Sequence, residues 1–422
     1  MSQPDRKRVL IMPEGTILAH VGRTLTLAHA LSSLQVEIRF AASGEHAERI
    51  SRSGWPVAPV HTRSRKELFD QMARKGNAFT REQLEEYVED ERRVLGEIRP
   101  DIVIGDFRPS LCISAVSMRI PYVSVVNAVW TSHCAVRFAP PLTMPLTKIF
   151  GQTLLEIVQP YLEGSLYRYF ARPFNVVRRK YGLPGFSDIR DAMCSEDLTL
   201  MPDVPEFLPL DEATKPKHYR YVGPIFWEPD VEMPEWIDAL DRNRPIVYIT
   251  MGSTGPLDQI RTLARILAAR GLQVVCTTAT HTPGDIPEGV FTAPYAPGAE
   301  MCAIADVVVC HGGNGTIYQA LSQGRPIVGV ATFHDQEFNM QRVEALGLGK
   351  GVCGMPSDLA SRVDQAVHAI LQDKSYRVRA MAFQQRMQEW DAASEITAAI
   401  ARLLGCERAS ANPSHRHCLA TV

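Results

Sequence analysis

The sequence has no long apolar run and no excess of charge of one sign. None of its apolar stretches reaches the length that a helix needs to cross a bilayer, so we expect no membrane span. The 45 basic and 47 acidic residues give a net charge of −2, which favours neither nucleic acid nor an anionic lipid surface as a partner. The composition, 45% apolar and 22% charged, is typical of a globular protein of two or three domains.

Cysteine and metal-binding patterns are also missing. The nine cysteines contain no Cys-x-x-Cys pair, which favours reduced thiols in a cytoplasmic protein over a disulfide framework. There is no Asp-x-Asp pair at a strand end and no histidine–cysteine cluster with metal-ligand spacing, so we predict no metal and no other cofactor. The first residues, MSQPDRKRVL, lead directly into a strand and lack a signal-peptide core. The sequence gives no signal of an oligomeric state.

Short apolar segments alternate with helical patterns in both halves of the chain. The predicted strands are 8–12, 36–40, 101–106, 122–126, 246–250, 274–277, 306–310 and 327–330. The predicted helices are 24–34, 45–52, 65–98 with a break at 75–77, 260–267, 317–323 and 357–404. Strands of this kind separated by helices indicate βαβ units and a parallel sheet, hence an α/β fold.

Two segments interrupt this alternation. Residues 202–245 contain eight prolines and predict a linker between two α/β domains. Residues 130–185 are rich in aromatic side chains and carry prolines 140, 141 and 145. This segment predicts either an apolar cleft for an acceptor or a helical insert packed on its own core.

The strongest motif is the run Cys-His-Gly-Gly-Asn-Gly-Thr at residues 310–316. It lies between a predicted strand and a predicted helix, where backbone N–H groups and the helix dipole suit a phosphate. About twenty residues later, Asp335 and Gln336 follow the next strand, where a carboxylate and an amide can bind adjacent sugar hydroxyls. The alternatives are an ordinary glycine-rich turn at 310–316 and a helix cap at Asp335.

At these residues the chain resembles the UDP-glycosyltransferase-type family of GT-B enzymes, which includes bacterial macrolide and antibiotic glycosyltransferases. The resemblance is strongest over 295–347, YAPGAEMCAIADVVVCHGGNGTIYQALSQGRPIVGVATFHDQEFNMQRVEALG. Weaker matches are DIVIGDFRPS, LTLMPDVPEF, YVGPI and VYITMGS. The resemblance implies two Rossmann-like, doubly wound domains that face each other across a cleft, with C-terminal helices that cross back to the first domain.

The implied domain organisation has five parts. It comprises an N-terminal acceptor-binding domain (1–215), a proline-rich linker (216–240), a C-terminal nucleotide-sugar-binding domain (241–376), C-terminal helices on the first domain (377–404) and a disordered tail (405–422).

The resemblance also implies a donor site in the second half. His311 would contact the diphosphate, the nucleobase would stack on the residue at 295, and the residue at 319 would bind the ribose. The other implied donor-binding residues are Ser253, Gly313, Asn314, Gly315 and Thr316 at the phosphates, and Asp335 and Gln336 at the sugar. The chain departs from the family with Tyr295 in place of Trp, Gly298 in place of Gln and Gln319 in place of Glu. These departures leave the nucleotide open between UDP and another, such as dTDP.

The implied catalytic pair lies in the first half. His20 stands where the family has its histidine base, Asp106 ends a predicted strand as the partner, and Arg23 stands where the family usually has Pro. A sugar acceptor hydroxyl is a weak nucleophile, so a neutral histidine has to take its proton, and a carboxylate orients the imidazole. His133 is the rival base, and a structural cap is the alternative role of Asp106.

Together these features predict an inverting, metal-independent glycosyltransferase. It would move a sugar, glucose by default, from a UDP-sugar to a hydroxyl of a small aromatic or lipophilic acceptor. A GT-B sugar-nucleotide epimerase and a catalytically silent nucleotide-sugar-binding protein are the alternatives.

Overall fold

The computed structural model divides the chain into two compact units. The first comprises Met1–Val136, Val158–Trp227 and Asp391–Val422, and the second comprises Arg137–Ile157 and Glu228–Trp390. The structure describes residues 6–67, 70, 79–142, 144–252, 257–278, 289–353 and 356–406. The predicted break at 75–77 and nearly all of the predicted tail, 405–422, lie outside these residues.

Each unit is built on one parallel sheet. The strands are β1 (Arg8–Pro13), β2 (Glu37–Ala41), β3 (Val57–Ala58), β4 (Ile102–Asp106), β5 (Tyr122–Val125), β6 (Leu198–Met201), β7 (Tyr219–Tyr221), β8 (Ile246–Thr250), β9 (Gln273–Thr277), β10 (Val290–Ala293), β11 (Val307–Cys310), β12 (Ile327–Gly329) and β13 (Gly349–Gly351). Their orders are β3-β2-β1-β4-β5-β6-β7 and β10-β9-β8-β11-β12-β13, and all neighbouring pairs are parallel. This is the doubly wound Rossmann order in both units.

Helices connect the strands. Within the described residues they are α1 (Leu18–Leu31), α2 (Ala47–Arg52), α3 (Arg81–Ile98), α4 (Leu111–Ser117), α5 (Pro145–Phe150), α6 (Gln152–Phe170), α7 (Arg172–Lys180), α8 (Leu257–Ala269), α9 (Gly298–Ile304), α10 (Asn314–Ser322), α11 (His334–Ala345), α12 (Pro356–Gln372), α13 (Lys374–Met387) and α14 (Ala392–Leu404). No helix in this part of the chain is both long and apolar enough to cross a membrane.

Burial on both sheet faces explains why the strands are almost wholly apolar. In β1, Val9 and Ile11 enter one buried cluster of the first unit, whereas Leu10 and Met12 enter another on the opposite face. Alternate side chains of a strand point to opposite faces, so a strand covered by helices on both sides needs apolar residues throughout. The strand predicted at 306–310 is β11, which lies between β8 and β12 in the centre of the second sheet. Its Val307 and Val309 are buried in the core of that unit.

The first helix begins earlier than predicted. The pattern predicted a helix over 24–34, which leaves His20 before the helix, but α1 starts at Leu18 and carries His20 in its first turn. Glycine normally weakens a helix, yet α1 runs through Gly22, where the missing side chain leaves room for Trp227, whose ring lies 2.6 Å from the ideal Cβ position. Tertiary packing therefore overrides the local propensity, and the correction places His20 on a rigid element.

The domain predictions can be compared with the two units. β7 lies inside the predicted linker 216–240, and the boundary between the units also falls there, between Trp227 and Glu228. Within the predicted C-terminal segment 377–404, α13 packs on α10 and α12 of the second unit, whereas α14 packs on α1 of the first unit.

The aromatic insert forms α5, α6 and α7. α6 contains no fully buried residue, so the prediction that the insert packs on its own core is wrong for this helix. The other interpretation, an acceptor cleft, stays a prediction. The eight cysteines within the described residues form no disulfide with one another.

Candidate functional site

His20 and Asp106 meet at the carboxyl ends of two neighbouring strands in the first unit. His20 lies in the first turn of α1, which follows β1, and Asp106 is the last residue of β4, which pairs with β1. The His20 Nδ1 atom lies 2.8 Å from Asp106 Oδ1. Neutral His20 can satisfy this contact when the proton is on Nδ1, which leaves the lone pair of Nε2 for another proton. The geometry matches the predicted pair of base and orienting carboxylate.

Arg23, which lies one turn further along α1, binds the same carboxylate. Its Nε donates to Asp106 Oδ2 at 2.6 Å, and its Nη2 donates to Asp106 Oδ1 at 2.5 Å. The Asp106 side chain is fully buried, and those of His20 and Arg23 are 15% and 12% exposed. Burial alone would raise the pKa of the Asp106 carboxyl, but Arg23 and His20 outweigh it and hold that pKa below its ordinary value. Asp106 is therefore a buried carboxylate shared by two partners, which does not fit the alternative role of a helix cap.

A second layer of hydrogen bonds holds the arginine. Arg23 Nη1 donates to Asn127 Oδ1 at 3.1 Å, and Asn127 Nδ2 donates to Asp203 Oδ1 at 3.0 Å. The other oxygen of Asp203 accepts from the backbone N–H of Ala128 at 2.7 Å. These groups fix the guanidinium, and through it the carboxylate, at one position.

Phe107 directly follows the carboxylate and has a strained backbone. Its φ of +50° is in the left-handed region, which is unfavourable for a bulky side chain. In this conformation its ring stacks on the imidazole of His20, with centroids 4.9 Å apart and planes 6° from parallel, and meets Trp130 edge-on. Strain of this kind persists where the surroundings fix it, often at a functional site. The sequence carried no signal of this contact.

The rival base, His133, has different surroundings. Its Nδ1 lies 3.2 Å from the hydroxyl of Thr214, and its ring meets the edge of Tyr219. The hydrogen bond from a histidine to a buried carboxylate belongs to His20 and not to His133.

In the second unit, the run 310–316 forms the predicted corner between β11 and α10. His311 fills the turn, and the ideal Cβ positions of Gly252 and Gly313 lie 2.7 and 2.3 Å from atoms of its ring. Any side chain at either glycine would displace the imidazole. α10 begins at Asn314 with no acidic residue in its first turn and no side-chain cap, so its amino-terminal dipole is not neutralised locally. Thr316 lies in this first turn, and Gly315 borders open space.

The imidazole of His311 favours its neutral form. Desolvation lowers its pKa from 6.5 to about 4. Its Nδ1 is buried and has no hydrogen-bond partner among the described residues. An unpaired buried polar atom costs free energy, and an incoming oxygen atom would relieve that cost if Nδ1 carries the proton.

This depressed pKa predicts a pH dependence of stability. Between pH 4 and 6.5 the unfolded chain binds a proton that folded His311 does not, so the free energy of unfolding should rise with pH, by at most about 1.4 kcal/mol per pH unit. His311→Gln should flatten this slope in thermal melts recorded from pH 4.5 to 7. His46 and His218 are shifted in the same direction but are present in both proteins. Parallel curves for the two proteins would contradict the prediction.

Asp335 and Gln336 lie in the first turn of α11, which follows β12 as predicted. Gln336 is buried, and its Oε1 accepts from the backbone N–H groups of Thr332 and Phe333 at 2.8 and 3.2 Å. The Gln336 side-chain oxygen therefore helps to cap the start of α11. Its amide N–H2 group is the part of this side chain that a sugar hydroxyl can still contact.

The residues predicted at the nucleoside also lie together in the second unit. Tyr295 precedes α9, Gly298 begins it, and the Gln319 amide nitrogen lies 2.8 Å from the ideal Cβ position of Gly298. Glu228, which the sequence placed in the linker, adds a carboxylate here. Its Oε1 accepts from the Ala299 N–H at 2.7 Å and lies 3.5 Å from Gln319 Nε2. No sequence pattern marked Glu228, because its neighbours 299 and 319 are distant in the chain.

Ser253, which was predicted at the phosphates, lies outside the described residues. Within the described ranges, no group of three or more histidine, cysteine, aspartate or glutamate side chains is arranged to hold a metal ion.

Comparison with known proteins gives consistent matches. Residues 262–403 match the family described as Erythromycin biosynthesis protein CIII-like, C-terminal domain. A PGL/p-HBAD biosynthesis glycosyltransferase of Mycobacterium tuberculosis is 34% identical over 346 residues, 82% of this chain and 80% of the relative. A PGL/p-HBAD biosynthesis rhamnosyltransferase of Mycobacterium bovis is 34% identical over 375 residues, 88% of this chain and 82% of the relative.

A solved structure agrees in fold. The spinosyn rhamnosyltransferase in complex with thymidine diphosphate superposes with a TM-score of 0.68 at 17% sequence identity. The match covers 93% of this chain and 99% of that one.

Proposed function

Because the chain belongs to the family 1-like bacterial glycosyltransferases of GT-B fold, we propose that it transfers a sugar from a nucleoside diphosphate to a hydroxyl of a small lipophilic or aromatic acceptor. The predicted family, the fold of two Rossmann-like domains and the prediction of a glycosyltransferase are confirmed. The glycosyltransferase relatives do not support the alternative of a sugar-nucleotide epimerase. The observation that carries the proposed chemistry is the 2.8 Å contact between His20 and the buried Asp106.

In the proposed reaction His20 acts as the general base. Its Nε2 takes the proton of the acceptor hydroxyl while the oxygen forms a bond to the anomeric carbon. The bond from that carbon to the diphosphate oxygen breaks on the opposite face, so the configuration inverts. Asp106 stabilises the imidazolium that forms, and Phe107 and Arg23 hold the ring and the carboxylate in place.

The leaving diphosphate is assigned to the corner at 310–316. Backbone N–H groups at the start of α10, the neutral imidazole of His311 and the hydroxyl of Thr316 offer hydrogen bonds to its oxygens. These donors stabilise the developing negative charge without a metal, so we propose a metal-independent reaction. Asp335 and the Gln336 amide group would contact the transferred sugar.

The nucleoside is assigned to Tyr295, Gln319 and Glu228. We expect Tyr295 to stack on the base and Glu228 to accept a hydrogen bond from a ribose hydroxyl, in place of the glutamate that the family has at position 319. Burial raises the pKa of Glu228, as does neighbouring Glu300, although the Ala299 N–H opposes this shift. A hydroxyl donor would favour the ionised form.

This assignment predicts a selective loss of nucleotide affinity. Glu228→Gln should weaken UDP binding about tenfold, because a hydrogen bond to a carboxylate contributes ~1.5–3 kcal/mol. Binding of inorganic pyrophosphate, which has no ribose, should not change. Both constants can be measured by titration calorimetry, with Glu232→Gln, at an exposed position of the same connecting segment, as the matched control. Equal losses for UDP and pyrophosphate would mean that Glu228 acts only by supporting α9.

There are two candidate donors, which differ in the sugar and in the nucleotide. The predicted donor is UDP-glucose. A deoxyhexose donor is the second candidate, because one relative is described as a rhamnosyltransferase and one structure of the same fold was solved with thymidine diphosphate.

One experiment tests the proposal as a whole. The protein is melted with UDP, dTDP and GDP, and the donors of the most stabilising nucleotide are offered with a panel of phenolic, polyketide and lipid acceptors. Mass spectrometry should show a product heavier than the acceptor by one sugar residue. Stabilisation by a nucleotide without transfer to any acceptor, and without donor hydrolysis, would contradict the proposed activity.

A further inference from the structure

Glu14 is a buried acidic residue at the carboxyl end of β1. It directly follows Pro13, the last residue of the strand, and is only 5% exposed. Its Oε1 accepts from the backbone N–H of Thr16 at 3.3 Å and from the Thr16 hydroxyl at 2.9 Å. Among the described residues Oε2 has no hydrogen-bond partner, and Glu14 forms no ion pair with them. Because a buried polar group without a partner costs free energy, this oxygen is a candidate contact for a ligand.

The two arginines at this end of the sheet are committed to other carboxylates. Arg108 is fully buried and donates through Nε to Glu91 at 2.7 Å, while its other nitrogens donate to the loop after β3. Burial alone would lower the pKa of Arg108, but Glu91 and then Glu14 outweigh it and raise that pKa. Arg23 is bound to Asp106. Three acidic groups therefore share two guanidinium groups, and Glu14 is the one without an ion pair.

Backbone contacts on both sides hold the turn that carries Glu14. The Glu14 N–H donates to the carbonyl of Asp106 at 3.0 Å, and the Gly15 carbonyl accepts from the His46 N–H at 3.2 Å. A Cβ atom at Gly15 would overlap the carbonyl oxygen of Ser43, so only glycine fits this turn. The backbone of Glu14 is thus fixed beside the residue that orients the proposed base.

Glu14 and Asp106 also mark the point where the strand order of the first sheet reverses. From β1 the chain continues to β2 and β3 on one side, whereas β4, β5, β6 and β7 follow on the other side. Ligands of open α/β sheets bind in the crevice outside the carboxyl ends of the strands at such a point. The proposed base, His20, follows β1 at the same edge. The buried Glu14 oxygen therefore belongs to the part of the first unit where the proposed function places the acceptor.

We propose that Glu14 recognises the acceptor by accepting a hydrogen bond from a second hydroxyl group, besides the hydroxyl that is glycosylated. This role rests on the proposed function, in which His20 marks the position of the reacting hydroxyl. A ligand without the second hydroxyl would leave the Glu14 oxygen buried and unpaired, and a site of this kind discriminates strongly against such a ligand. The acceptor class is therefore a diol or a polyol and not a compound with a single hydroxyl.

The test compares the binding of three small phenols in the absence of a donor. The wild-type protein should bind catechol or resorcinol, each with two hydroxyls, about tenfold more tightly than phenol, as expected for a hydrogen bond to a carboxylate. Glu14→Gln should lower this preference to about threefold, because a neutral hydrogen bond is roughly half as strong. The affinities are measured by NMR titration. The matched control, Glu45→Gln, removes an exposed carboxylate from the loop after β2 and should keep the wild-type preference.

The melting temperature gives a second readout. Glu14→Gln keeps an oxygen for Thr16 and removes an acidic group without an ion pair, so its melting temperature should not fall below that of the wild type. A lower melting temperature with an equal loss of affinity for all three phenols would mean that Glu14 only supports the turn. The proposal is also overturned if the wild type binds neither diol, if it binds all three phenols equally, or if Glu14→Gln keeps the full preference. Since no donor is present, these results do not depend on whether sugar transfer occurs.

Discussion

Replacing His20 with alanine is expected to lower kcat for sugar transfer by about 10²–10⁴-fold, the range that a positioned general base contributes. The loss follows from the geometry, since the His20 ring is held between Asp106 and Phe107 with Nδ1 committed to the carboxylate. Water then has to replace the imidazole as the group that takes the acceptor proton. The rate is measured with saturating donor and an acceptor that gives product in the mass-spectrometric panel.

Two controls separate loss of the base from loss of the fold. The His20→Ala protein should keep its thermal stabilisation by the nucleotide, because the residues assigned to the diphosphate lie in the other unit. His133→Ala, which removes the rival base, should retain its rate within about twofold, since the half-buried His133 side chain contacts Thr214 and Tyr219 and not Asp106. If His133→Ala abolishes transfer and His20→Ala does not, the assignment of the base is wrong.

The sequence predicts the motifs at the strand ends of this fold well because the residues of each motif are adjacent in sequence. The apolar strands before Asp106 and before residues 310–316 are short and bounded by turns. Each lies in its own parallel sheet, where the carboxyl ends of neighbouring strands share one edge. The phosphate corner needs only a strand, glycines and a helix start, all adjacent in sequence. The contact between His20 and Asp106, 86 residues apart, followed from the family resemblance and not from spacing.

The features that escaped prediction depend on tertiary contacts. The helical pattern predicted a start at 24, but α1 begins at Leu18 and runs through Gly22, against which the distant Trp227 packs. The left-handed backbone of Phe107 and the carboxylate of Glu228 beside Gln319 arise from neighbours that lie far away in sequence. The exposed apolar side chains of α6 read as core residues because hydrophobic composition does not reveal which side chains remain exposed.

Arg23→Met is expected to destabilise the first unit more than any surface substitution. Removing one partner of a buried ion pair costs ~3–5 kcal/mol because the remaining charge is left buried. The Asp106 side chain is fully buried, and it would keep only the hydrogen bond from His20. A loss of ~3 kcal/mol corresponds to a fall in the melting temperature of roughly 6–12 °C for a unit of this size. The control is Arg52→Met, which breaks an exposed ion pair with Glu48 and should shift the melting temperature very little.

The pH dependence of this loss of stability tests whether the charge of Asp106 causes it. In the wild-type protein the pKa of folded Asp106 lies below its unfolded value, so its stabilisation is present above the unfolded pKa and is lost as the pH falls through the folded pKa. Without Arg23, burial becomes the dominant effect and raises the pKa of folded Asp106, so the variant gains stability on protonation. The difference in melting temperature between wild type and Arg23→Met should therefore be largest at pH 7 and smaller at pH 4.5. A difference that stays constant between these pH values would mean that the arginine stabilises the unit by packing and not through the charge of Asp106.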